Sequence, residues 1–343
     1  MNQVDRAPEG TAEIQATQPA LGGRLPGVAR GIRTAGRLLI RSRTTLLLTL
    51  ILVLAALMTY YYPLSFPTTS NLVAVLLNAS VAGILVVGMM LLLVSGAFDL
   101  SIGGIFALSG MVAGVVIVEY HQSWAVGAGA GLAVGVLAGL INGLIVTRLG
   151  VNALIATLAT AGIFRGVTQL LSGTGFAPID PTFAKLGQTE ILGLQSPFWV
   201  MLGVVIVGSW AVGQTRVFRR FYYVGGNERA AQLSGIRTKQ VFLMGFALMG
   251  VLAGLAGILN AARFNAANVN VGTGLELQVI TAAVLGGASL KGGEGTVTGG
   301  ILGVLFIALV QNALIIVRVG VFWQNIVIGL VLLFAVALDR RRS

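Results

Sequence analysis

The sequence has no cysteine and a single histidine, His121, and only 10% of its 343 residues are charged. Without cysteine there are no disulfides, thiolate metal sites or sulfur nucleophiles. No cluster of histidine and carboxylate residues has the spacing of a metal centre or a catalytic triad, so catalysis finds no candidates. A soluble domain carries about 25% charged residues, and the deficit here excludes an ordinary soluble enzyme. Negative charge is scarcer still, with 11 Asp and Glu against 22 Lys and Arg. The resulting net charge of +11 is no nucleic-acid signature, because the basic residues stand in loops between apolar runs.

What is present is apolar. Hydrophobic residues make up 56% of the chain, and its 48 glycines are about twice the usual ~7%. This composition predicts an all-α, polytopic membrane helix bundle. Ten apolar runs approach membrane-spanning length, at roughly 44–62, 72–94, 102–118, 124–147, 152–172, 198–215, 239–262, 275–288, 296–317 and 321–338. The third and eighth are short and glycine-flanked, hence tilted, broken or partly spanning, which leaves the number of crossings open by two. A cleaved signal peptide competes for the first run. The polar leader is long for that, and no small-residue cleavage site closes the run. An uncleaved helix ending in an interfacial belt of Tyr60, Tyr61 and Tyr62 is the better expectation.

Charge sets the orientation. With both termini in the cytoplasm, the inner side receives the tail arginines, Arg148, the basic residues from Arg216 to Lys239, Lys291 and Arg340–Arg342. The outer side receives only Lys185, Arg263 and Arg318, and Arg165 lies within a span. The asymmetry follows the positive-inside rule. The expected organisation is a disordered basic cytoplasmic tail over 1–43, a transmembrane domain over 44–338 and a basic cytoplasmic C-terminus over 339–343.

Between the sixth and seventh runs lies a polar island, FYYVGGNERAAQLSGIRTKQ, residues 221–240. It reads as one short helix at about 227–234. Gly225 and Gly226 break the preceding structure, Asn227 is an N-cap, and Glu228 faces the positive end of the helix dipole. Ala230, Ala231 and Ser234 leave a nearly smooth face, and Gly235 is a C′ stop. Two turns are unstable alone in water. The pattern fits either a solvated loop or a docking helix for a cytoplasmic partner.

Polar residues inside the spans are few. Asp99 either caps the next helix from a loop or faces a polar cavity or a partner, since a carboxylate in hydrocarbon is costly. Gly131, Gly135, Gly139 and Gly143 form a smooth stripe that lets two membrane helices approach closely. Asn142, beside the last of them, suits an interhelical hydrogen bond. In the fifth span, Thr157 and Thr160 can bond back to their own helix. Arg165, one face with Gln169, keeps its charge and either snorkels to the outer interface or serves inside. Glu276 opens the eighth span. The loop after it, with Gly286, Gly287, Gly292, Gly293 and Gly295, invites a phosphate reading. It lacks the Gly-Lys-Ser/Thr end of a Walker A motif, so ATP binding is rejected, and tight helix reversal remains.

Three segments together resemble a known family. Asn227–Glu228, Ala230–Ala231 and Ser234–Gly235–Ile236 look like the coupling-helix loop of bacterial ABC importer permeases of the ribose/simple-sugar type. Their superfamily also holds the branched-chain amino acid permeases. Asp99–Leu100–Ser101 with Gly103 resembles the family's G-x-D-L-S-x-G signature, with Ala97 at its first glycine. The stretch from Glu276 to Gly295 resembles the block E-L-x-x-I-A-A-x-x-L-G-G-x-S-L-x-G-G-x-G. The likeness covers roughly 70–338. It implies a permease subunit in the inner membrane, working as a dimer of two copies or with a paralogue. It further implies separate cytoplasmic ABC ATPase subunits docking on Gly225–Gly235 and a periplasmic solute-binding protein, and no cofactor. Asp99, Asn142, Thr157, Arg165, Gln169 and Glu276 are the pathway candidates. The rival readings are a branched-chain amino acid permease, an ion-coupled secondary transporter and a membrane scaffold. Ion coupling usually needs ionisable residues mid-membrane, and here only Arg165 qualifies, which carries no exchangeable proton at working pH.

Overall fold

In a computed structural model, the described residues are 43–340 apart from 173, 174 and 176. The tail expected over 1–43 lies outside them, save for Arg43, as do Arg341 and Arg342. The chain folds as α1 (Arg43–Tyr61), α2 (Thr69–Val94), α3 (Ile102–Val118), α4 (Trp124–Arg148), α5 (Ala153–Ser172) and α6 (Pro181–Gln188). A two-stranded ribbon follows, β1 (Glu190–Ile191) and β2 (Leu194–Gln195). Then come α7 (Ser196–Gln214), α8 (Arg216–Gly226), α9 (Glu228–Leu233), α10 (Thr238–Phe264), α11 (Leu275–Leu285), α12 (Val297–Ile316) and α13 (Val321–Arg340).

Every expected apolar run is helical. Seven helices, α1, α2, α4, α5, α7, α10 and α12, are long and apolar enough to cross a membrane. α3, α11 and the Ile326–Ala337 part of α13 are shorter. At 1.5 Å per residue, α11 reaches about 16 Å and α3 about 25 Å, short of a ~30 Å hydrocarbon core. Both follow an irregular stretch, 95–101 before α3 and 265–274 before α11. The order of long helix, irregular stretch, short helix and two further helices therefore occurs twice, from α2 to α5 and from α10 to α13.

The ends are set by local chemistry. The Thr68 hydroxyl accepts from the Asn71 amide and caps α2, and Thr296 does the same for α12 through the Gly299 amide. Asp180 caps α6 by accepting from Thr182 and Phe183, with Pro181 at the first helical position. The stretch between α5 and α7 thus carries a helix and a ribbon. Gly187 of α6 packs against the Arg263 backbone, where a Cβ would collide.

α2 and α10 make the centre. Every residue from 82 to 94 of α2 is buried. α10 packs on α2, α3 and α4, α5 packs on α3, α12 bridges α2 and α11, and α13 lies on α11. The glycine stripe lies where α4 crosses α10. A Cβ on Gly139 would strike the Phe246 carbonyl and Gly250, and one on Gly135 would strike Gly250 and Gly254. Without a hydrophobic drive between helices in lipid, such backbone-to-backbone approach supplies the packing.

Candidate functional site

The polar island is built from three helices rather than one. It takes in the end of α8, all of α9 and the start of α10. Gly225 and Gly226 do not break the preceding structure; they are the last two residues of α8. α8 is amphipathic, with Phe221 and Val224 buried and Arg216, Arg219 and Arg220 exposed. That buried face holds the helix in place and carries it through both glycines. Gly225 is there for space. A Cβ on it would run into the Val94 carbonyl at the end of α2 and lie 2.7 Å from the Gly293 amide nitrogen. Gly226, one residue on, faces open space.

α9 is closed at both ends. Asn227 Oδ1 accepts from the Ala230 amide at 2.9 Å. At the other end the Gly235 amide donates to Gln232 and the Ile236 amide to Ala231, both at 3.0 Å. This is a Schellman closure, with Gly235 at φ +81°. Ala231 is buried, whereas Glu228, Arg229, Ala230, Gln232 and Leu233 are exposed, Leu233 to 84%. The helix presents one face to its neighbours and the rest outward.

The island is bonded to the bundle. The Gly293 amide donates to the Val94 carbonyl at 2.8 Å. The Tyr222 hydroxyl donates to the Gly295 carbonyl at 2.8 Å. Burial raises the Tyr222 phenol above its ordinary value. The glycine-rich loop between α11 and α12 thereby ties α8 to the ends of three membrane helices.

At the far ends of α2, α10, α11 and α12 lies a cavity of about 630 Å³. Asn78, Asn260, Arg263, Thr273, Gln278 and Gln311 supply its polar lining, alongside Phe106, Phe264 and aliphatic residues. Asn78 stands 16 residues from Val94, about 24 Å along α2. The cavity adjoins the point where the two short helices begin. Gly103 of α3 meets Gly272, and Glu276 Oε2 lies against Gly103. Discontinuous helices of this kind mark binding sites in transporters.

The pathway candidates fall into separate groups, and none of the six lines this cavity. Asp99, Ser101 and Asn142 form a buried network. Asp99 Oδ1 accepts from the Ser101 amide at 2.7 Å and the Ser101 hydroxyl at 2.6 Å. Asn142 Nδ2 donates to the Ser101 hydroxyl at 2.7 Å and to Asp99 Oδ2 at 3.4 Å. Asp99 therefore closes the turn ahead of α3, whose N-cap residue Ser101 makes no side-chain capping bond, and it meets a partner on α4 in Asn142. Thr157 bonds back to Ala153 at 2.8 Å. Arg165 reaches the irregular stretch between α10 and α11. Its guanidinium donates to the carbonyls of Val269 and Val271, the latter at 2.8 Å. That pins the irregular stretch forming one cavity wall and satisfies carbonyls that no helix or sheet serves. Gln169 lies one turn further on, on an exposed face.

The polar cavity residues escaped the reading of the sequence. They are scattered over four helices and a loop, with α10 supplying both Asn260 and Arg263. An isolated amide inside a membrane span was the available signal.

A family model described as branched-chain amino acid transport system / permease component matches residues 71–336. The chain belongs to this permease family. It is a transporter subunit, a multi-pass protein of the inner membrane. It is 38% identical to the ribose import permease protein RbsC of Escherichia coli K12, over 85% of this chain and 92% of the relative. It is 37% identical to the L-arabinose transport system permease protein AraH of the same strain, over 81% and 85%. The autoinducer 2 import system permease protein LsrC of Salmonella paratyphi B is 34% identical, over 80% and 79%. No solved structure gives a significant match.

Proposed function

We propose that the chain is the membrane-spanning subunit of an ATP-driven importer for a sugar or sugar-like solute. The observation that carries this reading is likeness over four-fifths or more of the chain to permeases of ribose and arabinose import. Within the reading, α1 to α5, α7 and α10 to α13 make ten crossings, with α3 and α11 completed by their irregular flanks. Both termini, α8 and α9 face the cytoplasm, and α6 faces outward.

ATPase subunits dock on α9, chiefly on Asn227–Ser234. Their closure on ATP moves α8, and the contacts of Gly225, Tyr222 and Gly293 carry that movement to α2, α11 and α12. Those helices reach the cavity about 24 Å away, so a push at one end changes access at the other. Rigid helices joined by direct backbone contacts suit such transmission. A binding protein delivers solute to the outer side, and a second permease, identical or paralogous, completes the assembly. Asp99 with Asn142 holds the entry to α3, and Arg165 and Glu276 shape the stretch between α10 and α11. Thr157 and Gln169 belong to the face of α5 along the same route.

The test is uptake into proteoliposomes that contain the chain with its ATPase and binding protein. ATP-dependent accumulation of D-ribose or L-arabinose is expected. Accumulation that is indifferent to ATP and follows an ion gradient refutes the reading.

A further inference from the structure

The cavity beside α11 differs from the other hollows of comparable size among the described residues. One, near Trp124 and Leu132, and another, near Val87 and Val207, are lined almost wholly by apolar side chains, as lipid-facing grooves are. The cavity of about 630 Å³ instead gathers four carboxamides from four helices: Asn78, Asn260, Gln278 and Gln311. Its volume falls in the range of about 300–1,000 Å³ usual for small-molecule sites. Polar side chains in a membrane span are expensive unless something satisfies them. Here the satisfaction is incomplete. Gln278 Nε2 reaches Gln311 Oε1 at a long 3.4 Å. Among the described residues, Asn78 and Asn260 have no side-chain partner.

The lining also carries a charge signature. Among the described lining residues, Arg263 is the one ionic group and none is a carboxylate; Glu276 is turned to Gly103. A zwitterionic amino acid would find a cationic partner for its carboxylate in Arg263 but no anionic partner for its ammonium among the described lining residues. A hydroxyl both donates and accepts, and so does a carboxamide. Two aromatic rings, Phe106 and Phe264, add apolar surface for the C–H side of a ring.

We propose that this cavity binds a neutral, polyhydroxylated solute in transit, with Asn78, Asn260, Gln278 and Gln311 as its hydrogen-bonding partners. The proposal rests on the reading of an importer for a sugar or sugar-like solute and adds to it the residues that meet the solute. It selects sugar over branched-chain amino acid on grounds internal to this chain.

The absence of native cysteine makes the test direct. Asn78→Cys, Gln278→Cys and Gln311→Cys, made singly, are assembled with the ATPase and binding protein in proteoliposomes. A charged, water-soluble thiol reagent is then added from the outer side, with Leu52→Cys on the exposed face of α1 as the lipid-facing control. The three cavity positions should react and the control should not. D-ribose or L-arabinose at ten times its half-protecting concentration should slow the reaction about 11-fold by mass action, and L-leucine should leave it unchanged. Failure of all three positions to react overturns the proposal, as does equal protection by leucine. So does sugar without effect on labelling while the wild-type assembly accumulates that sugar. If the wild-type assembly accumulates no sugar with ATP, the importer reading itself fails and takes this proposal with it.

Discussion

The contact at Gly225 gives a sharp prediction, because its neighbour supplies a control. In Gly225→Ala the new methyl meets the Val94 carbonyl oxygen and the Gly293 amide nitrogen, both backbone atoms. Neither can rotate away, so α8 must separate from α2 and the glycine-rich loop. Overpacking of this kind costs about 1–3 kcal/mol. That penalty of about 1–3 kcal/mol falls on the contact proposed to carry motion from α9 into the bundle. In Gly226→Ala the methyl meets open space at a helix end, and alanine there is neutral or stabilising by up to about 1 kcal/mol. The assays are thermal unfolding in mild detergent, followed by protein retained in solution, and ATP-driven uptake by the assembled transporter. Gly225→Ala should melt earlier and transport poorly, whereas Gly226→Ala should match the wild type in both. Wild-type behaviour of Gly225→Ala, or equal damage from Gly226→Ala, would refute the reasoning.

Three further outcomes follow from the same geometry. Gly235→Val places a β-branched residue at φ +81°, where a left-handed conformation costs about 1–2 kcal/mol or more; α9 should fray, ATP hydrolysis should persist and uptake should fall, which parallel measurement of both rates checks. Asp99→Ala strips the acceptor from the Ser101 amide and hydroxyl and should lower the melting temperature, with Asp99→Asn recovering part of it through its remaining carbonyl oxygen. Arg165→Gln releases the Val269 and Val271 carbonyls, and charged hydrogen bonds are worth about 1.5–3 kcal/mol each; uptake should drop more than the amount of protein in the membrane, as quantitative blotting beside transport would register.

Much of the fold was legible because membrane helices announce themselves by composition. Each of the ten apolar runs is a helix, and the two singled out as short, those of α3 and α11, are indeed short helices. The caps were equally readable, since Asn227 and Gly235 act through local backbone chemistry. α8 was not read as a helix because its two terminal glycines suggested a break. The run RVFRRFYYV nonetheless has apolar residues at helical spacing, and burial of Phe221 and Val224 outweighs glycine's weak propensity. The network of Asp99, Ser101 and Asn142 joins residues 41 and 43 positions apart, and the bonds of Arg165 join residues more than 100 apart. No local spacing encodes such pairs. The cavity is the extreme case, as its amides come from four helices and share no motif.

The measurement that tests the account most directly is purification of the tagged chain from its native membrane in mild detergent, with identification and assay of what accompanies it. The account predicts a stoichiometric ATPase subunit that hydrolyses ATP, released when Leu233 and Ala230 on the exposed face of α9 are replaced by aspartate. A stable, monodisperse chain that carries no ATPase would contradict it and return Asn227–Ser234 to the standing of a loop.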